Sequence, residues 1–135
     1  MEYITISTTG DSIDFGDLTE QRSGNPGSCS SSTRGIFAGG FFSPPSTFYT
    51  TIDFTTIATL GNAQEFGDLT NQRYNVASCS SSTRGAFAGG DFPGSSVISS
   101  IEYVTIASTG NALDFGDLTE TKSGVAACSN GHGGL

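Results

Sequence analysis

The stretch GSCSSSTRGIFAGG, residues Gly27 to Gly40, returns at Ala77 to Gly90 as ASCSSSTRGAFAGG, with 12 of 14 positions identical. A third copy starts at Ala127-Cys128-Ser129 and departs from the pattern at Asn130. Working outward, Phe15-Gly16-Asp17-Leu18-Thr19 recurs as Phe66 to Thr70 and Phe115 to Thr119, at spacings of 51 and 49 residues. Tyr3-Ile4-Thr5-Ile6, Phe54-Thr55-Thr56-Ile57 and Tyr103-Val104-Thr105-Ile106 open the three units. A fixed period near 50 describes one array, because units of that kind bury their faces against each other. The chain therefore reads as a single domain of three repeats, 1–51, 52–100 and a truncated 101–135.

Each unit predicts four short strands, lettered here C, D, A and B in chain order. Strand C covers Glu2 to Thr8, Ile52 to Ala58 and Ile101 to Ala107, rich in Ile, Thr and aromatics with period-2 alternation. It ends at Gly10-Asp11, Gly61-Asn62 and Gly110-Asn111, pairs suited to a tight hairpin because both residue types tolerate positive φ. Strand D runs through Phe15, Phe66 and Phe115, and strand A surrounds Cys29, Cys79 and Cys128. Strand B is Arg34 to Ala38 and Arg84 to Ala88, closed by Gly39-Gly40 and Gly89-Gly90. The segments Phe41 to Thr51 and Asp91 to Ser100 hold all but one of the prolines and read as exposed, variable loops.

Composition agrees with an all-β chain and removes several functions. Among 135 residues there are 20 serines, 17 threonines and 19 glycines, poor material for helices and good material for strands and turns. Thirteen acidic against 5 basic residues give a net charge of −8, which cannot neutralise a run of phosphates, so no nucleic-acid partner is expected. No apolar stretch approaches the roughly 18–20 residues of a membrane helix, and Met1-Glu2-Tyr3-Ile4-Thr5 shows no signal-peptide pattern.

Four strands in a period of 40 to 50 residues is the arithmetic of a β-propeller blade. The order Arg73, then Ala77-Ser78-Cys79, then Gly85-Ala86-Phe87-Ala88-Gly89-Gly90, then Ile101-Glu102-Tyr103, then Phe115 resembles a kelch repeat. The kelch tryptophan is missing, and Phe15, Phe66 and Phe115 stand roughly in its place. The wording of the repeats is similar to kelch-like repeats encoded by tailed phages, marine ones especially. That resemblance implies a virion or tail-associated protein, assembled in the cytoplasm and then part of a virion or extracellular. It implies structural or adhesive work on a surface ligand, a glycan or other virion subunits. A carbohydrate- or protein-binding module without a virion role and a filament subunit are the alternatives. A copper oxidase on kelch repeats is disfavoured, because His132 is the only histidine.

The candidate chemistry is sparse, and no catalytic residue, metal or cofactor is expected. Cys29, Cys79 and Cys128 recur too far apart for a zinc pattern and read as small, reduced, buried strand-A residues. His132 has no closely spaced partner and reads as an exposed terminal residue. Asp14/Asp17, Glu65/Asp68 and Asp114/Asp117 have the form of an acid/base pair or a calcium site, but recurrence in every unit favours a structural part. Asp17, Asp68 and Asp117 are expected to accept hydrogen bonds from turn amides or to pair with Arg22, Arg73 and Lys122. Arg34 and Arg84 are expected in salt bridges across blades. The best binding candidates are the loop aromatics Phe41, Phe42, Phe48 and Tyr49, with Phe92 in the second loop. The competing reading packs Phe41 and Phe48 between blades or subunits.

The strand order is C, D, then A, B, C, D twice, then A and a clipped B, so two blades are complete and two halves are left over. Propellers typically have four to eight blades. Two chains supply six, which predicts a closed homodimer with a blade shared between Tyr3 to Leu18 of one chain and Val125 to Leu135 of the other. Three chains would supply nine, and a contact that does not close would propagate as a head-to-tail filament.

Overall fold

The computed structural model describes residues 1–94 and 96–129. Their strands are β1 (Glu2–Tyr3), β2 (Ile13–Asp14), β3 (Gly27–Ser30), β4 (Arg34–Ala38), β5 (Phe41–Phe42), β6 (Thr47–Phe48) and β7 (Thr51–Thr56). The chain continues with β8 (Gln64–Asp68), β9 (Ala77–Ser80), β10 (Arg84–Ala88), β11 (Asp91–Phe92), β12 (Ser96–Val97), β13 (Ser100–Thr105) and β14 (Leu113–Asp117), with no helix among the described residues. The chain is all-β. His132 and the clipped strand B lie outside the described residues.

Two four-stranded antiparallel sheets, β3-β4-β7-β8 and β9-β10-β13-β14, carry the fold. Each holds the A, B, C and D segments in chain order, and strand B has the expected bounds in both. The first C and D segments form only the small hairpin β1-β2, pairing Glu2 with Asp14 and Tyr3 with Ile13. Residues 126–129 form no strand, yet the Ser129 hydroxyl donates to the Ser80 carbonyl at 2.6 Å and lays this segment along β9.

The core gathers apolar residues of both sheets, among them Ile36, Ile52, Phe54, Phe66, Phe87, Val104 and Ile106. In β7 the run Ile52 to Thr55 is buried without a break, so both faces of this strand are covered. Burying this apolar surface is the main favourable contribution to folding.

The repeats are joined by a recurring set of contacts. Along strand A, Ser78 donates its hydroxyl to the Ser28 carbonyl (2.6 Å) and accepts from the Ser28 amide (2.8 Å). Ser80 donates to Ser30 in the same way at 2.8 Å. At the outer edge, the amides of Gly61 and Ala63 donate to Phe15 and Asp17, and those of Gly110 and Ala112 donate to Phe66 and Asp68, all at 2.8 Å.

This second set corrects two expectations. The Gly-Asn pairs do not close tight hairpins; the chain turns earlier, with Thr59 donating to Thr56 and Ser108 to Thr105 at 3.2 Å. The pairs instead lie against the preceding repeat, where Asn62 and Asn111 accept the amides of Asp17 (3.0 Å) and Asp68 (3.1 Å). The segments read as loops also fold into the two-residue hairpins β5-β6 and β11-β12.

The double glycines are junctions as well. Gly39, Gly40, Gly89 and Gly90 all have positive φ, between 61° and 104°. The amides of Gly40 and Gly90 donate to the carbonyls of Arg73 and Lys122 in the next repeat, both at 2.8 Å. A methyl group on Gly39 would lie 2.4 Å from the Arg73 oxygen, and one on Gly89 2.5 Å from that of Lys122. Only glycine permits both the turn and the close approach.

Candidate functional site

The most densely bonded polar groups are two buried ion pairs. Arg22 donates from Nη2 to Asp53 (2.9 Å) and from Nη1 to the carbonyls of Gly39 (2.7 Å) and Thr51 (2.8 Å). Thr19 completes the cluster, donating its hydroxyl to the same carboxylate at 2.6 Å. One repeat on, Arg73 pairs with Glu102 and donates to the carbonyls of Gly89 (3.3 Å) and Ser100 (3.2 Å), while Thr70 donates to Glu102. Burial pushes the Arg73 pKa down, opposed by Glu102 beside it. Both acids follow a register shift, between Ile52 and Asp53 and between Ile101 and Glu102. Such a bulge re-aims a side chain.

The arginines therefore pair with Asp53 and Glu102 of strand C, not with the FGDLT aspartates. Asp68 and Asp117 instead accept from the hydroxyls of Thr50 (2.8 Å) and Ser99 (3.1 Å). In two of the three pairs the turn amide goes to the other carboxylate: Asp14 accepts from Gly16 at 3.1 Å and Asp114 from Gly116 at 3.2 Å. Lys122, third in the arginine series, pairs with exposed Glu120. Asp53 and Glu102 were missed because each stands on an apolar strand, and only a buried acid in register with a repeating arginine would have flagged them.

Arg34 and Arg84 form no salt bridge among the described residues. Their guanidinium groups lie 4.5 Å from the Phe54 ring centre and 4.8 Å from that of Tyr103, as cation–π contacts. Arg34 does cross to the second four-stranded sheet, donating to the Ile106 carbonyl just beyond β13 at 2.9 Å.

The binding-loop aromatics separate into two groups. Phe41 and Phe48 face each other across β5-β6 and pack on Tyr74 of the next repeat, with ring centres 5.0 to 5.8 Å apart. Phe41 also lies on Gly24, where a methyl group would meet its ring at 2.0 Å. These rings form an inter-repeat joint. Its counterpart is polar: Asp91 stands in the place of Phe41 and accepts from Asn75 (2.7 Å) and from the Ser123 hydroxyl. Phe42 and Tyr49 are half-buried, Tyr49 under the Arg22 guanidinium at 5.5 Å, and Phe92 is exposed.

The three thiols are free, but their settings differ. Cys29 packs against the core, close enough to Gly85 that a methyl group there would fall 2.4 Å from its sulfur. Burial, and secondarily Cys79, pushes its pKa from 9.0 to about 12. Cys29 and Cys79 are both half-buried, and Cys128 is exposed, against the expectation of three buried thiols. The strand A expected around Cys128 does not form among the described residues.

No group of three or more His, Cys, Asp or Glu side chains among the described residues is placed to hold a metal ion. No family model matches the chain, and no curated protein does.

Proposed function

We propose that this chain is a non-enzymatic structural or adhesive protein, a kelch-like array of blades that binds a surface ligand or neighbouring subunits as a phage virion or tail-associated component. The observation that carries the reading is the reuse of one joint. The same polar residues that a catalytic site would need, the repeated Asp, Arg, Asn and Ser, bond strand to strand and repeat to repeat. They do so in the same way at successive junctions. Catalysis requires groups aimed at a substrate, whereas an architectural array requires interchangeable joints. The phage setting is supported by the resemblance of the repeats alone.

A carbohydrate- or protein-binding module is the second reading, favoured by Phe42, Tyr49 and Phe92 beside the hairpins. Mass spectrometry of purified particles and a glycan array probed with the isolated chain separate the two. Detection in particles supports the virion component. Glycan binding that Phe42→Ala abolishes, with no particle association, supports the module. A turnover of any screened substrate that Asp68→Asn abolishes would overturn both.

A further inference from the structure

The clusters at Asp53 and Glu102 each need three parts: a threonine and a cation from one stretch of chain, and an acid on a strand C downstream. Two half-clusters remain. Thr119 and Lys122 occupy the places of Thr19 and Arg22, with Lys122 held by exposed Glu120, and Glu2 occupies the place of Asp53 and Glu102 with, among the described residues, only the Ser12 hydroxyl upon it. Lys122 and Glu2 are opposite in charge and lie in the last and the first repeat.

The apolar surface divides in the same way. Phe66 is 3% exposed beneath the turn that follows it in the next repeat, whereas its equivalent Phe115 is 59% exposed. Ile106 is 1% exposed, with Arg34 of the first sheet donating to its carbonyl, whereas its equivalents Ile57 and Ile6 are 46% and 93% exposed. A methyl group on Gly16 or Gly67 would meet the carbonyl of Gly61 or Gly110 at 2.4 Å, while one on Gly116 meets nothing within 4 Å among the described residues. The residue equivalent to Gly61 and Gly110 that Gly116 lacks is Gly10; the amides of Gly61 and Gly110 donate across their junctions to Phe15 and Phe66, and that of Gly10 donates to no backbone carbonyl among the described residues.

We propose that copies of this chain join head to tail, with Thr119 and Lys122 of one copy closing on Glu2 of a second and the Phe115-Gly116-Asp117 edge receiving its Gly10-Asp11 turn. This rests on the structural reading above. The occupant is a second copy because Lys122 and Glu2 carry opposite charge and the two surfaces repeat those that meet at the internal junctions. Asp11, where the internal junctions have asparagine, keeps the acceptor for the Asp117 amide. Two different surfaces meet, so the contact is heterologous: it makes a ring where the rotation closes and a filament where it does not. Buried charge pairs across such a contact act mainly on dissociation and are costly to break singly.

Sedimentation of the 135-residue chain over a concentration series at about physiological salt, where its charge of −8 is screened, tests the joint. Association is expected, weakened about tenfold or more by Glu2→Lys or by Lys122→Glu and restored when both are combined. Both positions are exposed, so the melting temperature of dilute protein should not change. A chain monomeric throughout would overturn the joint. If that monomer still bound particles or glycans, the structural reading would stand without it. Association that neither reversal weakens would overturn the Lys122–Glu2 closure.

Discussion

Arg73 and Glu102 are separated by 29 residues and meet as a buried ion pair. The arginine arrives on the segment that precedes strand A, and the acid stands on strand C of the same sheet, so the pair spans the sheet from its first strand to its third. The guanidinium also caps the Gly89 and Ser100 carbonyls, where β10 ends and β13 begins. One side chain thus fixes a strand ending and a strand start, while the Arg73 carbonyl accepts from Gly40 of the preceding repeat.

Removing one partner leaves the other charged and buried, which costs about 3–5 kcal/mol. Arg73→Met is expected to lose that much in urea unfolding, and Arg22→Met a comparable amount. Lys122→Met, at an exposed pair, should stay within about 0.5 kcal/mol of the parent. Nε of Arg22 and of Arg73 is buried with no partner among the described residues, so the clusters are not fully satisfied there. The double change Arg73→Met/Glu102→Met should accordingly cost less than Arg73→Met alone.

The thiols should react in the order of their burial. Titration of native protein at neutral pH should label Cys128 at once and Cys29 only on unfolding. The shift on Cys29 has a consequence for alkaline stability. Its folded pKa, about 12, lies above its ordinary 9.0, so its contribution is complete below about pH 9 and is lost as pH rises towards 12. Cys29→Ala should make the fall in stability over that window shallower; an unchanged slope would contradict the assignment.

The strand plan was legible because its signals are local. Arg34 to Ala38 and Arg84 to Ala88 show β-rich composition, alternation and a double-glycine stop, and the strands have those bounds. What the sequence concealed is how repeats meet. Gly61-Asn62 has the composition of a hairpin turn, but its amide and side-chain groups bond a segment 45 residues earlier, which no local pattern encodes. The arginine partners were hidden for the same reason: Asp17 is near Arg22 in sequence, while Asp53 is near it in space.

The aromatic hairpin should divide by position. Phe41→Ala removes a ring packed on Phe48, Tyr74 and Gly24. A loss of about 1–2 kcal/mol is expected from the missing aromatic contacts and area. Phe92→Ala, at an exposed ring, should leave the melting temperature within about 2 °C. Equal losses would mean that the second hairpin packs as the first does.

Gly67 and Gly116 share the FGDLT frame and a φ of 155° and 138°, so alanine at either is strained by about 1–3 kcal/mol. Their surroundings differ. The Gly110 backbone lies where a Gly67 methyl group would stand, while the space at Gly116 is open. Gly67→Ala must therefore push two repeats apart and break the amide bonds from Gly110 and Ala112 to Phe66 and Asp68. In dilute monomeric protein, Gly67→Ala should cost at least about 1.5 kcal/mol more than Gly116→Ala, beyond the shared backbone strain. At concentrations where copies join, Gly116 meets the Gly10 turn of the next copy, and Gly116→Ala should then weaken association as Gly67→Ala weakens folding. Equal costs in the monomer would mean that the Gly67–Gly110 approach relaxes freely and does not hold the repeats together.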